Sequence, residues 1–176
     1  YLDYASTTPC DPAVVKAMEP YFHDKFGNPS SPHSFGQKAH GAVEEARKLI
    51  ADAIGARPNE IVFTSGATES NNQAILTLAL GLFNKGRHVI VGAMEHASVY
   101  EPAKRLSKLG FEVSFVDPDP YGVMDPKVFK NLIRPDTILI LLQHANNEIG
   151  VIQPVEEIGQ YAKEAKVCFL VDATQT

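Results

Sequence analysis

Thr137-Ile138-Leu139-Ile140-Leu141-Leu142, followed by Gln143-His144-Ala145-Asn146-Asn147-Glu148-Ile149-Gly150, decides the fold. Six uncharged, mostly branched residues leave a strand no polar face to offer water, so the strand must be covered on both sides. The polar run directly behind it marks where that strand leaves the core. Outward from this stretch the pattern repeats. His88-Val89-Ile90-Val91 and Val167-Cys168-Phe169-Leu170-Val171 read as further buried strands, and Glu60-Ile61-Val62-Phe63-Thr64 as another short one. Phe111 to Val116 alternates, as a strand with one wetter face does.

Between the strands apolar residues recur at helical spacing. Ile75, Leu78, Ala79, Leu82 and Phe83 mark one helix, and others are expected near 99–109, 126–133 and 156–165. Upstream, Asp11-Pro12 is a helix start followed by Val14, Val15, Met18, Tyr21 and Phe22. The breaker cluster Gly27-Asn28-Pro29-Ser30-Ser31-Pro32 reads as a loop. A helix over 36–54 carries the stripe Ala39, Val43, Ala46, Ile50 and Ala53 and stops at Gly55. Strands of continuous apolar character separated by helices predict an α/β fold: three layers, a mostly parallel sheet with helices on both faces. The expected division is an N-terminal segment over 1–35 and the sheet domain over 36–176. The last strand closes at Val171-Asp172 and Thr176 follows shortly, so the domain is expected to be part of a longer polypeptide.

Composition narrows the function. The 176 residues hold 16 Lys+Arg against 21 Asp+Glu, a net charge of −5. Without a basic run there is nothing to neutralise a row of phosphates, and no nucleic-acid partner is expected. The apolar stretches are too short to cross a bilayer, so no membrane partner is expected. Cys10 and Cys168 form no C-x-x-C and no disulfide framework, and no metal site is expected. Tyr1-Leu2-Asp3 shows no signal segment, and a cytoplasmic location is the expectation.

In open α/β sheets ligands bind outside the carboxyl ends of the strands. Ser65-Gly66-Ala67-Thr68-Glu69-Ser70, Met94-Glu95-His96, Gln143 to Gly150, and Asp172 with Gln175 stand at those ends. The first offers N–H groups, hydroxyls and a helix dipole suited to a phosphate, with Gly66 admitting a close approach; it also fits a plain capped turn. It is neither a Walker loop nor a G-x-G-x-x-G. His96 alone fits a satisfied loop histidine, and Asn146-Asn147 a turn. Asp172, a carboxylate behind an apolar strand, needs a partner, and a pyridinium N–H would be one.

Taken together, these stretches resemble the pyridoxal-phosphate-dependent cysteine desulfurases of the NifS/IscS type, within the fold-type-I, aspartate-aminotransferase-like superfamily and class V of the aminotransferases. The resemblance is carried by Tyr1-Leu2-Asp3-Tyr4 with Thr7-Thr8-Pro9, Phe26-Gly27-Asn28-Pro29-Ser30-Ser31, Phe63 to Asn71, Glu95-His96, Asn146-Asn147-Glu148-Ile149-Gly150 and Val171-Asp172-Ala173-Thr174-Gln175. It implies that the sheet is part of such an enzyme's large domain and that the cofactor is pyridoxal 5'-phosphate. Gly66, Ala67 and Thr68 would hold the phosphate. His96 would stack on the ring and act catalytically in proton transfers. Asp172 would pair with the ring nitrogen, Gln175 with the phenolic oxygen, and Asn147 with that oxygen and the substrate carboxylate.

The implied reaction converts L-cysteine to L-alanine and leaves a persulfide on a mobile cysteine, for delivery to an iron–sulfur scaffold protein by a homodimer. The family's cofactor-anchoring lysine belongs beyond Asp172, where this chain has none, and its persulfide cysteine lies further on; Cys168 reads as core and Cys10 as a bystander. This chain is therefore expected to be inactive alone. Two alternatives stand beside this one: a selenocysteine lyase, and a non-catalytic relative serving as an interaction module.

Overall fold

The computed structural model describes residues 1–176. The chain divides into two compact units, Tyr1–Phe63 and Thr64–Thr176.

In the first unit, α1 (Pro12–Met18) starts on the Asp11 side chain, which accepts the Ala13 N–H at 2.7 Å, with proline at the first helical position. Pro20 has no N–H to continue a ladder, so the single helix read from Val14 to Phe22 is two: α2 (Pro20–His23) begins there. None of their residues is buried. The 21-residue α3 (Ser34–Ile54) starts on the His33 ring, whose Nδ1 accepts the Gly36 N–H, and ends on Gly55 in the left-handed conformation. Gly36 lets the preceding loop pack closely, because a Cβ there would fall 2.2 Å from the Ser31 carbonyl oxygen. The expected stripe from Ala39 to Ala53 is not buried in this unit; Ala51 and Gly36 are α3's buried residues.

A 3₁₀ turn, Pro58–Glu60, precedes the run expected as a strand over 60–64, and that strand does not form. Ile61 has extended dihedrals, yet no strand lies beside this segment to complete a ladder, and Val62 and Phe63 are exposed. Branched, apolar residues favour a pleated surface but cannot supply the neighbour it requires.

The second unit runs α4 (Ala67–Gly81), β1 (His88–Gly92), α5 (Ala97–Leu106), β2 (Glu112–Val116), α6 (Pro126–Leu132), β3 (Thr137–Gln143), α7 (Val155–Ala165), β4 (Cys168–Asp172). The strands form one parallel sheet in the order β2-β1-β3-β4. Strand alternation splits the core. Val89, Val91, Leu139 and Leu141 pack with Ile75 and Ala79 of α4 and Val99, Ala103 and Leu106 of α5. Ile90, Ile140 and Leu142 face the other way, against Phe129 of α6 and Ile158 and Ala162 of α7. Helices thus cover both faces, the three-layer arrangement read from the sequence.

Two details differ from that reading. The sheet has four strands rather than five, and β4, expected to be fully buried, lies at an edge with only Asp172 buried. The connection after β1 runs over one face to β2, and that after β3 over the other to β4. The order of travel therefore reverses between β1 and β3, opening a crevice at their carboxyl ends.

Candidate active site at the carboxyl ends of the strands

One side of the site is the start of α4. Its N-cap, Gly66, contributes no side-chain cap, and a Cβ built there meets nothing within 4 Å. Ala67 and Thr68 open a helix whose start no side chain caps, so its first N–H groups and positive dipole end suit an anion. Ser65 does not join them, contrary to the sequence expectation of a free hydroxyl. Its N–H and hydroxyl donate to Glu69 Oε2 at 2.8 and 2.5 Å, fastening the turn and holding the exposed Glu69 carboxyl below its usual range. Thr68 commits its carbonyl to Asn72 Nδ2.

His96 caps α5. Its Nδ1 accepts the Ser98 N–H at 3.1 Å and lies 2.8 Å from Ser98 Oγ, so helix initiation fixes the ring's direction. Ser98 is buried and also receives Asn71 Nδ2 at 3.0 Å. The same Asn71 nitrogen donates to Asp172 Oδ2 at 2.9 Å, while Asp172 Oδ1 accepts the Thr174 N–H and hydroxyl at 3.0 and 2.5 Å. His96 and Asp172, 76 positions apart in sequence, thus end one continuous hydrogen-bonded chain.

Asp172 is buried at 5% exposure and receives donors only. None of the chain's ion pairs involves it. A buried carboxylate with hydrogen-bond donors and no cation is one partner short. A ring N–H⁺ fits there, and the open α4 terminus fits a phosphate.

Asn147 and Asn146, alike in sequence, do different work. Asn146 is buried and builds the loop: its Nδ2 donates to the Met94 carbonyl and Gln143 Oε1, and its Oδ1 accepts the N–H groups of Glu148 and Ile149. Asn147 is half-buried, and its Oδ1 accepts from Gln143 Nε2 at 3.2 Å, which leaves the amide hydrogens at its other end for a ligand oxygen. Gln143 is the register partner of Asp172. Gln175 lies exposed in the turn it forms with Thr174. Cys10 is exposed and Cys168 half-buried, both as free thiols.

Asn71, Ser98, Glu95 and Gln143 complete this arrangement, and sequence reasoning gave none of them a role. Asn71 did carry a signal, since it falls one turn before Ile75 and two before Ala79, on the buried stripe of α4 where a polar residue is out of place.

The aminotransferase class-V family matches residues 1–176. Among curated proteins, the cysteine desulfurase IscS of Dictyoglomus turgidum is 52% identical over 176 residues, all of this chain and 45% of its own length. Cysteine desulfurase IscS 1 of Archaeoglobus fulgidus is 52% identical over 99% of this chain and 45% of its own. Among solved structures, SspA in complex with cysteine superposes with a TM-score of 0.94 at 42% identity, covering 100% of this chain and 51% of that one. A NifS-like protein gives 0.96 at 39% identity, covering 100% and 49%. The chain spans about half the length of the curated relatives it matches. With its whole length matched and its polar groups gathered at the strand ends, the chain belongs to the class-V aminotransferase family.

Proposed function

We propose that the protein containing this chain is a pyridoxal 5'-phosphate-dependent cysteine desulfurase. The observation that carries this reading is the buried Asp172 carboxylate, surrounded by donors without a cation and joined through Asn71 and Ser98 to His96. Bound pyridoxal phosphate supplies an electron sink that acidifies the α-hydrogen of an attached amino acid.

The chain's own residues divide the remaining work. Ala67 and Thr68, opening α4 behind Gly66, bind the phosphate. Asp172 holds the proton on the ring nitrogen. His96 covers the ring and moves protons at Nε2, since Nδ1 already accepts from Ser98. The Asn147 amide donates to the substrate carboxylate and to the ring's phenolic oxygen, with Gln175 beside it. The substrate is L-cysteine, and its sulfur leaves for an iron–sulfur scaffold protein. The working form is a homodimer, and its place is the cytoplasm, in keeping with two free cysteines.

The test uses the full-length protein. Addition of pyridoxal phosphate should give a stoichiometric visible chromophore, and L-cysteine should yield alanine with sulfide in the presence of a thiol. Asp172→Ala should lose cofactor affinity by tenfold or more. Wild-type protein that binds no cofactor, or that produces alanine from L-selenocysteine only, overturns the reading.

A further inference from the structure

The Asn71 side chain has two amide hydrogens, and the structure spends both. One goes to Ser98 Oγ at 3.0 Å and the other to Asp172 Oδ2 at 2.9 Å. Asn71 is itself buried at 6% exposure and Ser98 at 7%, so water does not compete for these bonds. With one Ser98 lone pair taken by Asn71, the Ser98 hydroxyl hydrogen is turned toward His96 Nδ1, 2.8 Å away. That nitrogen also receives the Ser98 backbone N–H at 3.1 Å. A backbone N–H can only donate, so Nδ1 is an acceptor and the neutral ring carries its hydrogen on Nε2.

We propose that Asn71 is a positioning residue that turns the Ser98 hydroxyl onto His96 Nδ1, adding a second donor to the nitrogen that the Ser98 backbone N–H already holds as an acceptor, while orienting the Asp172 carboxylate. This rests on the functional reading above, in which His96 and Asp172 address one bound ring. It adds that the two are set together, by a helix residue that touches neither substrate nor cofactor. The linkage couples the group that moves protons to the group that holds the ring nitrogen's proton. Disturbing Asn71 therefore changes both ends at once.

The test reads the tautomer directly in full-length, cofactor-free protein with ¹⁵N-labelled histidine. In wild type the His96 Nδ1 resonance should be that of an unprotonated, doubly hydrogen-bonded nitrogen and Nε2 that of a protonated one. Ser98→Ala removes the hydroxyl, and Asn71→Ala removes the group that directs it. Each should move Nδ1 toward the value of a less strongly bonded acceptor, and the double variant should match Ser98→Ala alone, because the two act through one hydroxyl. Ser98→Thr, which keeps the hydroxyl, should restore the wild-type pair.

In a parallel titration with pyridoxal phosphate, Asn71→Ala should weaken binding about tenfold, the scale of a lost hydrogen bond to a charged group. Ser98→Ala should weaken it less. A wild-type Nδ1–H tautomer, or additive shifts in the double variant, overturns the relay even if the cofactor binds tightly. Wild-type protein that binds no pyridoxal phosphate overturns the functional reading, and with it the relay's purpose, whatever the nitrogen shifts show. Should Asn71→Ala fail to fold, the Ser98→Ala and Ser98→Thr pair still decides whether the hydroxyl donates to Nδ1.

Discussion

Glu95 Oε1 accepts the Gln143 backbone N–H at 2.7 Å, while its second carboxyl oxygen is buried with no partner. One carboxyl group thus ties the loop after β1 to the end of β3, across the crevice where the strand order reverses. Burial pushes this group up to about 8; the Gln143 N–H opposes the shift and the nearby Asp172 charge adds to it. At neutral pH Glu95 is therefore mostly a neutral acid in the folded protein and an anion in the unfolded chain. Its contribution to stability is full below the unfolded value near 4.5 and is lost as pH rises to about 8. Glu95→Gln, which cannot ionise, should gain on wild type across that window, by roughly 3 kcal/mol at pH 7 at about 1.4 kcal/mol per unit. Urea unfolding at pH 4.5, 7 and 8.5 checks this. A difference that does not change with pH would mean Glu95 is ionised in the fold.

Room for that carboxyl comes from Gly92, the last residue of β1. A Cβ at Gly92 would lie 2.8 Å from Glu95 Oε1, 3.2 Å from Leu142 Cδ1 and 3.4 Å from Met124 Cε. Gly92→Ala should therefore destabilise by about 1–3 kcal/mol, the usual cost of overpacking. Combining it with Glu95→Ala should give less than the sum of the two single losses, because the second change removes the atom struck by the first. Strictly additive losses in denaturant unfolding would contradict the contact.

Much of this was legible in advance, for reasons that particular residues show. Ile138 to Leu142 could be nothing but a strand covered on both faces, and its burial pattern gives both core clusters at once. His96, Asn147 and Asp172 do stand beyond the carboxyl ends of strands, because a parallel sheet sends every such end the same way; Ser65 to Thr68 follow no strand, and the helix they open joins the others through Asn71. Two things were hidden. Ile61 to Phe63 has a strand's composition, but pairing is a property of neighbours, and none is present. The Asn71 bridge joins positions 101 residues apart, and no local pattern encodes a contact at that separation. As residue types Asn146 and Asn147 are alike, and only the family resemblance singles out Asn147; the loop shows that Asn146 is the one that builds it.

At the opposite end of the sheet, His88 is buried between Thr137 Oγ1 at 2.7 Å and Ser114 Oγ at 2.9 Å. Burial lowers its pKa and the Arg134 charge lowers it further, against smaller opposing effects of Glu112 and Asp136. Folding therefore favours the neutral ring. The stability it supplies is present above the unfolded value near 6.5 and is lost as pH falls through the folded one. The slope should reach at most about 1.4 kcal/mol per pH unit for this one proton. His88→Gln keeps a polar group between the two hydroxyls without titrating, so its melting temperature should fall less than that of wild type between pH 7 and 5. Parallel curves for the two proteins would show that His88 is not the titrating group.

Phe129 and Phe63 test whether burial or residue type governs the energetics. Phe129, on α6, is fully buried against the sheet face made by Ile90, Ile140 and Leu142. Phe63 is 46% exposed, with the Arg47 guanidinium 4.9 Å from its ring centre. Truncating a fully buried phenylalanine costs its transfer energy and leaves a cavity, so Phe129→Ala should lose about 3–5 kcal/mol. Phe63→Ala gives up a partly solvated ring and a cation–π contact, together on the order of 1–2 kcal/mol. Unfolding free energies of the two variants at one pH separate these cases. Equal losses would mean that Phe63 is covered in the folded protein, and that the segment from Ile61 to Phe63 has a neighbour after all.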